Sequence, residues 1–231
     1  MIRNSIIAGL LALFLSACGA PDRPSISLYL AVQRGDIDQI ERHIYWKTDI
    51  NTVFPNGYYP IHQAAEKGRI IIIKLLVKNG VEVNQPAQNG RTAIALAILN
   101  GRIQAAEILI KAGAQFDASK LLLEAAKIEA NDRDVVRFLV KSGADTESTN
   151  DIGDTPLLTS IRTANHRLAA HLIEQGAHVN AQDREGRYAL SIAEERGAID
   201  IYQTLLRNGA TKQPVTASTG SAIFPLRTHN D

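Results

Sequence analysis

The sequence has few of the features that support catalysis or binding to a polyanion. Its 231 residues include one cysteine, 5% aromatic residues and a formal net charge of +1. A single thiol cannot form an intramolecular disulfide, so a fold outside the cytoplasm would depend on packing alone. The balanced charge and the absence of a long basic run argue against nucleic acid and against a general cationic attachment to membranes.

Established catalytic motifs are also missing. The chain has no G-x-S-x-G elbow, P-loop, H-E-x-x-H sequence or dinucleotide-binding glycine pattern. Of the six histidines, His166 and His171 are closest in the sequence, but they lack the i, i+4 spacing of a zinc pair. We therefore expect no catalytic residues, no cofactor and no metal site.

A phrase of about ten residues recurs along the chain. Residues 59–68 read YPIHQAAEKG, and related phrases begin 33 residues later at Thr92 and again at Thr155 and Tyr188. Glycines at positions 80, 113, 176 and 209 follow the four phrases at the same distance, and Gly143 falls between the second and third of these positions. A period of this length indicates one supersecondary unit repeated several times, in which each unit buries its apolar face against its neighbours.

The phrase from Tyr59 to Ala64 resembles the T-P-L-H-x-A signature of ankyrin repeats. The resemblance implies an all-α solenoid of about six helix pairs joined by short β-hairpin fingers, covering residues 26–212. Pro60 and Pro156 suit the first turn of an inner helix. The backbone N–H groups of that turn have no partner within the helix, so proline, which has no N–H, loses no hydrogen bond there. The expected repeats are 26–50, 51–84, 85–117, 118–147, 148–180 and 181–211.

Two repeats depart from the pattern. Lys47 stands where later repeats have glycine, so either the first outer helix ends differently or Lys47 adopts a positive φ. In the fourth repeat, seven residues lead from Gly113 to Lys120, against twelve from Gly80 to Thr92. We therefore expect the fourth finger to be truncated.

The amino terminus has the pattern of an export signal. One arginine precedes a short apolar run from Ile6 to Leu15, which is shorter than the roughly 20 residues of a membrane span. The sequence from Leu15 to Cys18 resembles the lipobox of bacterial lipoproteins, which implies cleavage before Cys18 and its lipidation. The alternative is an ordinary signal peptide followed by a chance cysteine. We expect a signal peptide at 1–17, a lipidated tether at 18–25 and a flexible tail at 213–231.

In ankyrin repeat proteins, fingertips and inner helices form a face that binds another protein. Tyr58, Arg91 and Leu99 are the strongest expected anchors on that face, because aromatic and arginine side chains dominate many interfaces. Tyr45 and Trp46 are a second candidate, although such residues often pack beneath a hairpin. The resemblance also implies that His62 braces a finger. The candidate residues are Tyr58, Glu66, Lys67, Asn89, Arg91, Leu99, Asn100, Lys127, Asp154, Arg162, Arg187 and Arg196.

Together these features predict a lipid-anchored protein-binding module, monomeric when free, on the periplasmic face of a bacterial outer membrane. One hypothesis is an immunity-type inhibitor of an envelope-acting toxin or hydrolase. The alternative is a scaffold or protection factor for an envelope enzyme. Both hypotheses require a protein partner, and neither requires nucleic acid.

Overall fold

The computed structural model describes residues 20–128 and 133–211. The expected signal peptide, Cys18 and the tail at 213–231 lie outside these residues. Within the described ranges, no helix is long and apolar enough to cross a membrane. The helices are α1 Leu28–Arg34, α2 Ile37–Tyr45, α3 Pro60–Glu66, α4 Ile70–Lys78, α5 Ala93–Leu99, α6 Ile103–Lys111, α7 Ala118–Lys127, α8 Arg133–Lys141, α9 Pro156–Arg162, α10 His166–Glu174, α11 Ala189–Glu195 and α12 Ile199–Arg207.

The helices form antiparallel pairs in two compact units, one up to Phe116 and the other from Asp117. In the first unit the inner helices α1, α3 and α5 pack in chain order, and α4 packs against α6 in the outer layer. In the second unit the inner helices are α7, α9 and α11, and the outer helices are α8, α10 and α12. The predicted all-α repeats of helix pairs are confirmed.

Most inner helices begin at a local signal, and several bury alanine residues. The Thr92 and Thr155 hydroxyls accept hydrogen bonds from the backbone N–H groups of Ala95 and Leu158, which caps α5 and α9. Pro60 and Pro156 occupy the predicted first turn. Ala64, Ala97 and Ala193 are fully buried, so adjacent inner helices can approach closely.

Residues with positive φ occupy the turns between helices. Lys47 has a φ of 60° and Ala164 a φ of 55°, so the second alternative for Lys47 is confirmed and Ala164 takes the place of an inter-helix glycine. At Gly35 (φ 82°) a side chain would also collide with Arg69, because an added Cβ would lie 1.7 Å from its Nη1 atom. Arg69 Nη2 donates to the carbonyl of Gln33 across this turn at 2.7 Å.

The fingers are tight turns instead of the predicted β-hairpins. In each of four fingers the first residue donates its N–H to the carbonyl four residues later, at 2.7 Å from Phe54 to Tyr58 and 2.9 Å from Ala87 to Arg91. Within the described residues, one isolated bridge between residues 182 and 188 is the only strand-like pairing. The truncated fourth finger is confirmed, because α7 begins at Ala118 directly after its cap.

Candidate protein-binding surface

His62 supports the finger of the next repeat, as the sequence predicts. Its side chain is fully buried, and Nε2 donates to the carbonyl of Arg91 at 3.1 Å. The rings of Tyr58 and Tyr59 lie nearby, with centroids 5.9 and 5.6 Å from the imidazole. Burial lowers the pKa of His62 below its usual 6.5, although the hydrogen bond to Arg91 acts in the opposite direction.

We expect His62→Ala to lower the free energy of unfolding by about 1–3 kcal/mol, because the fully buried imidazole leaves a cavity and the Arg91 carbonyl keeps only the Ala87 N–H as a donor. The depressed pKa favours the neutral folded form, so this contribution is complete above pH 6.5 and declines as pH falls toward the folded pKa. The difference between wild type and variant should therefore shrink in acid, as urea titrations at several pH values would measure. A variant with the wild-type midpoint that fails to bind the partner would instead make His62 a binding residue.

Two neighbouring fingertips of the first unit form a fixed platform. The Asn56 and Asn89 carboxamide oxygens accept the N–H groups of Tyr58 and Arg91 at 3.2 and 3.0 Å. The N–H of Gln88 then donates to the carbonyl of Gly57 at 3.1 Å, which joins the two fingers. The backbone beneath the candidate residues is therefore ordered before any partner binds.

Most predicted binding residues of the first unit lie at the surface. Lys67, Asn89 and Asn100 are exposed, and Tyr58, Glu66 and Arg91 are partly exposed. We call these six residues the fingertip surface. In the part of the chain that the structure describes, the side chains of Glu66 and Lys67 have no hydrogen bond or ion pair. Both charges are thus available to a partner.

Leu99 does not belong to this surface. Its exposed fraction is 7%, and every residue of α5 from Ala93 to Leu99 is buried. The helix is apolar throughout and lies between α3 and α6, so its last turn is covered as well as its middle. The prediction that Leu99 anchors a partner is wrong for this reason.

In the second unit, three predicted binding residues belong to one network with Asp183: Arg162 contacts Asp154 and Asp183, and Arg187 contacts Asp183. Arg162 donates through Nε to Asp154 Oδ2 at 2.6 Å and through Nη2 to Asp183 Oδ2 at 2.7 Å. Arg187 contacts the same Asp183 oxygen through Nε and Nη2, each at 2.9 Å. The Asp154 side chain is 2% exposed, so it cannot be the surface contact that the sequence predicts.

Asp183 is the centre of this network and was not among the predicted residues. Its Oδ1 accepts the N–H groups of Glu185 and Arg187 at 3.0 and 2.9 Å, which shapes the finger. Burial opposes ionisation, but these hydrogen bonds and the Arg187 guanidinium hold the pKa of Asp183 below its usual 3.8. The charges of Arg162 and Arg187 are consequently engaged inside the unit, whereas Lys127 and Arg196 are exposed.

Tyr45 and Trp46 do not pack beneath a hairpin. Their exposed fractions are 53% and 39%, and their rings meet edge to face with centroids 5.6 Å apart. The Trp46 indole N–H donates to the carbonyl of Pro21 at 3.1 Å. The described part of the expected tether is therefore held against the end of α2.

Nearby His43, for which the sequence suggests no partner, contacts Ile26 and Thr48. Across residues 20–128 and 133–211, no cluster of three or more His, Cys, Asp or Glu side chains is placed to hold a metal ion.

Residues 28–120 and 122–215 match the family model described as ankyrin repeats (3 copies). The chain is an ankyrin repeat protein. Potassium channel AKT1 of Arabidopsis thaliana is 37% identical to it over 229 residues, which are 98% of this chain and 25% of the channel. The ankyrin chain therefore spans about a quarter of that relative's length.

Two solved structures extend the comparison. One is the immunity protein Bd3460, in complex with the Bd0816 predatory endopeptidase from Bdellovibrio bacteriovorus; it is 26% identical, with a TM-score of 0.64 over 80% of this chain and 99% of that one. The human ASB11 ankyrin repeat domain has a TM-score of 0.67 at 22% identity, covering 82% of this chain and 86% of its own, and shows the fold alone. Ankyrin repeats bind other proteins, so a protein-binding module is the functional class.

Proposed function

We propose that this ankyrin repeat protein binds its partner through the fingertip surface of the first unit. The observation that carries the proposal is the contrast between the two units. Lys67 is exposed and Glu66 partly exposed beside a braced backbone, whereas Arg162 and Arg187 are already paired with buried carboxylates. A platform ordered before binding loses little entropy when the partner docks.

For the partner, we propose an enzyme that acts in the bacterial envelope and that this protein inhibits. The similarity to the immunity protein Bd3460, which is bound to an endopeptidase, supports an inhibitor. The mixed charge of Glu66, Lys67 and Arg91 suits a specific protein surface better than a polyanion. A scaffold that protects an envelope enzyme is the alternative, and it would use the same surface.

Capture and assay of the partner separate these two roles. The tagged full-length protein is expressed in a bacterial host with its native signal, and proteins that co-purify from the envelope are identified and assayed. An inhibitor should reduce the hydrolytic activity of the captured enzyme in proportion to its amount. A scaffold should leave that activity unchanged or raise it. Failure of the purified protein to bind any captured candidate would contradict both roles.

The export signal that the sequence predicts supports a location for this activity. We expect the chain to be cleaved before Cys18 and to carry lipid on that cysteine at the periplasmic face of the outer membrane. Cys18→Ser should move the protein to the soluble periplasmic fraction or leave it unprocessed, as fractionation and fatty-acid labelling would measure. Because Cys18 is the only cysteine, equal labelling of wild type and variant would contradict lipidation there.

A further inference from the structure

An exposed aromatic edge lies where the first outer helix ends. It consists of Tyr45 and Trp46, whose rings contact each other, together with Arg23, whose guanidinium carbon lies 5.1 Å from the centroid of the Trp46 ring. Single exposed apolar side chains are normal, but contiguous exposed apolar surface often marks an interaction site, and Tyr45 and Trp46 are adjacent, with exposed fractions of 53% and 39%. We call these three residues the aromatic edge.

The segment that precedes α1 is bonded to this edge. The Trp46 indole N–H donates to the carbonyls of Pro21 and Asp22 at 3.1 and 3.3 Å. The Asp22 carboxylate lies 3.7 Å from Arg42 Nη1 on α2. Together with the Arg23 contact, three contacts hold this segment at Trp46 and a fourth holds it at Arg42.

The same segment stays attached along α2. The N–H of Ser25 donates to Gln39 Oε1 at 2.8 Å, and the carbonyl of Ile26 lies 2.8 Å from His43 Nε2. Gln39 and His43 are both buried. The chain therefore enters the first unit along a fixed path, and the aromatic edge is the part of that path nearest to the amino terminus.

The distance from this edge to the lipid is short, given the lipidation of Cys18 on which this inference rests. Three residues lead from Cys18 to Pro21, and a fully extended chain of that length reaches at most about 11 Å. The headgroup layer of a bilayer is itself several ångströms thick on each side of the hydrocarbon. A lipid inserted in the membrane would therefore draw the aromatic edge to the depth of the headgroups.

We propose that the aromatic edge rests in the phospholipid headgroup layer of the membrane that holds the lipid on Cys18. Tryptophan and tyrosine concentrate at that depth in membrane proteins. The Trp46 N–H is already bonded within the protein, so the ring can leave water without an unpaired donor. Arg23 beside the ring offers a guanidinium to a lipid phosphate.

Aromatic contact contributes more to this association than net charge does. Arg42 on α2 is paired with Asp22 and Asp38, so it adds little attraction for anionic lipid. Glu41 and Asp49 are exposed and lie close in the sequence to exposed Lys47, so their negative charges offset its positive charge. The edge should therefore contact zwitterionic headgroups as well as anionic ones.

The chain contains one tryptophan, so its intrinsic fluorescence reports on Trp46 alone. The lipidated full-length protein is reconstituted into vesicles of phosphatidylethanolamine and phosphatidylglycerol, with or without acyl chains brominated near the headgroup. We expect the emission to shift to shorter wavelength, acrylamide quenching to be lost and the brominated lipid to quench strongly. The control Trp46→Phe/Glu107→Trp carries its tryptophan on the exposed face of α6 and should show none of these changes.

Vesicle flotation separates failure of this inference from failure of the anchor. A protein that floats with the vesicles but leaves Trp46 open to acrylamide would overturn the membrane contact and keep the lipid anchor. A mature protein that does not float with the vesicles would overturn both the membrane contact of the aromatic edge and the lipid anchor. If Trp46 becomes shielded only when the captured partner is added, the edge is a protein interface and the proposal is wrong.

Discussion

Leu157→Ala should lower the free energy of unfolding of the second unit by about 2–5 kcal/mol, the usual cost of removing a buried leucine side chain. Leu157 is 1% exposed on α9, and α9 packs against both α7 and α11. The cavity would therefore open toward two neighbouring repeats at once. Because each repeat is stable only through its neighbours, the substitution should also destabilise the two repeats that pack against α9.

Urea denaturation followed by circular dichroism measures this cost. Ile152→Ala is the matched control, because Ile152 belongs to the same repeat but is 62% exposed at the fingertip. The control should change the midpoint little, whereas Leu157→Ala should move it far toward lower urea. Equal midpoints for the two variants would contradict the packing of α9 between its neighbours.

Asp183→Ala should lower the free energy of unfolding by about 3 kcal/mol, the lower end of the range for breaking a buried ion pair. The lower end applies because the Arg162 and Arg187 side chains are 22% and 36% exposed, so water partly replaces the lost carboxylate. The finger from Asp183 to Arg187 would also lose two hydrogen bonds to its backbone. The same urea titration measures the change.

Asp183→Asn separates the charge of Asp183 from its backbone bonds. Asn150 holds the finger of the preceding repeat through its amide oxygen, which accepts the N–H groups of Ile152 and Asp154 at 3.0 Å. The Asp183→Asn variant should keep the hydrogen bonds to the N–H groups of Glu185 and Arg187. It should therefore lower the free energy of unfolding less than Asp183→Ala does. If the asparagine variant loses as much stability as the alanine variant, the backbone bonds contribute nothing measurable.

The pH dependence of these variants has a definite sign. Because the folded pKa of Asp183 lies below 3.8, its charge stabilises the protein fully above that pH. This contribution is lost as pH falls through the folded pKa. The stability difference between wild type and Asp183→Asn should therefore be constant near neutral pH and decrease only in strong acid.

The fold could be predicted because its signals are local and recur. Pro60, Thr92 and Pro156 begin inner helices, and Lys47 ends an outer helix with the positive φ that glycine provides elsewhere. Asn51 and Asn84 carry a further repeated signal that the sequence analysis missed. Their side chains accept the N–H groups of Glu82 and Gln115, each 31 residues later in the chain, at 2.9 and 2.8 Å.

The candidate surface was less predictable because its accessibility depends on contacts between repeats. Leu99 occupies a position expected to be exposed, but a wholly apolar α5 is covered on every side. The pairing of Arg162 with Asp183 joins residues 21 positions apart, and no spacing within one repeat indicates it. Position in a repeat therefore predicts which face a residue occupies, whereas stacking decides whether its side chain remains available.

The affinity for the captured partner, measured by calorimetry, tests the central claim most directly. Tyr58→Ala and Lys67→Glu alter the fingertip surface, and the control Lys74→Ala removes an exposed charge from α4. We predict that each fingertip variant loses about 2 kcal/mol or more of binding free energy, roughly thirty-fold in Kd, with unchanged helicity. The control should bind like the wild type. Wild-type affinity in both fingertip variants would contradict binding through this surface.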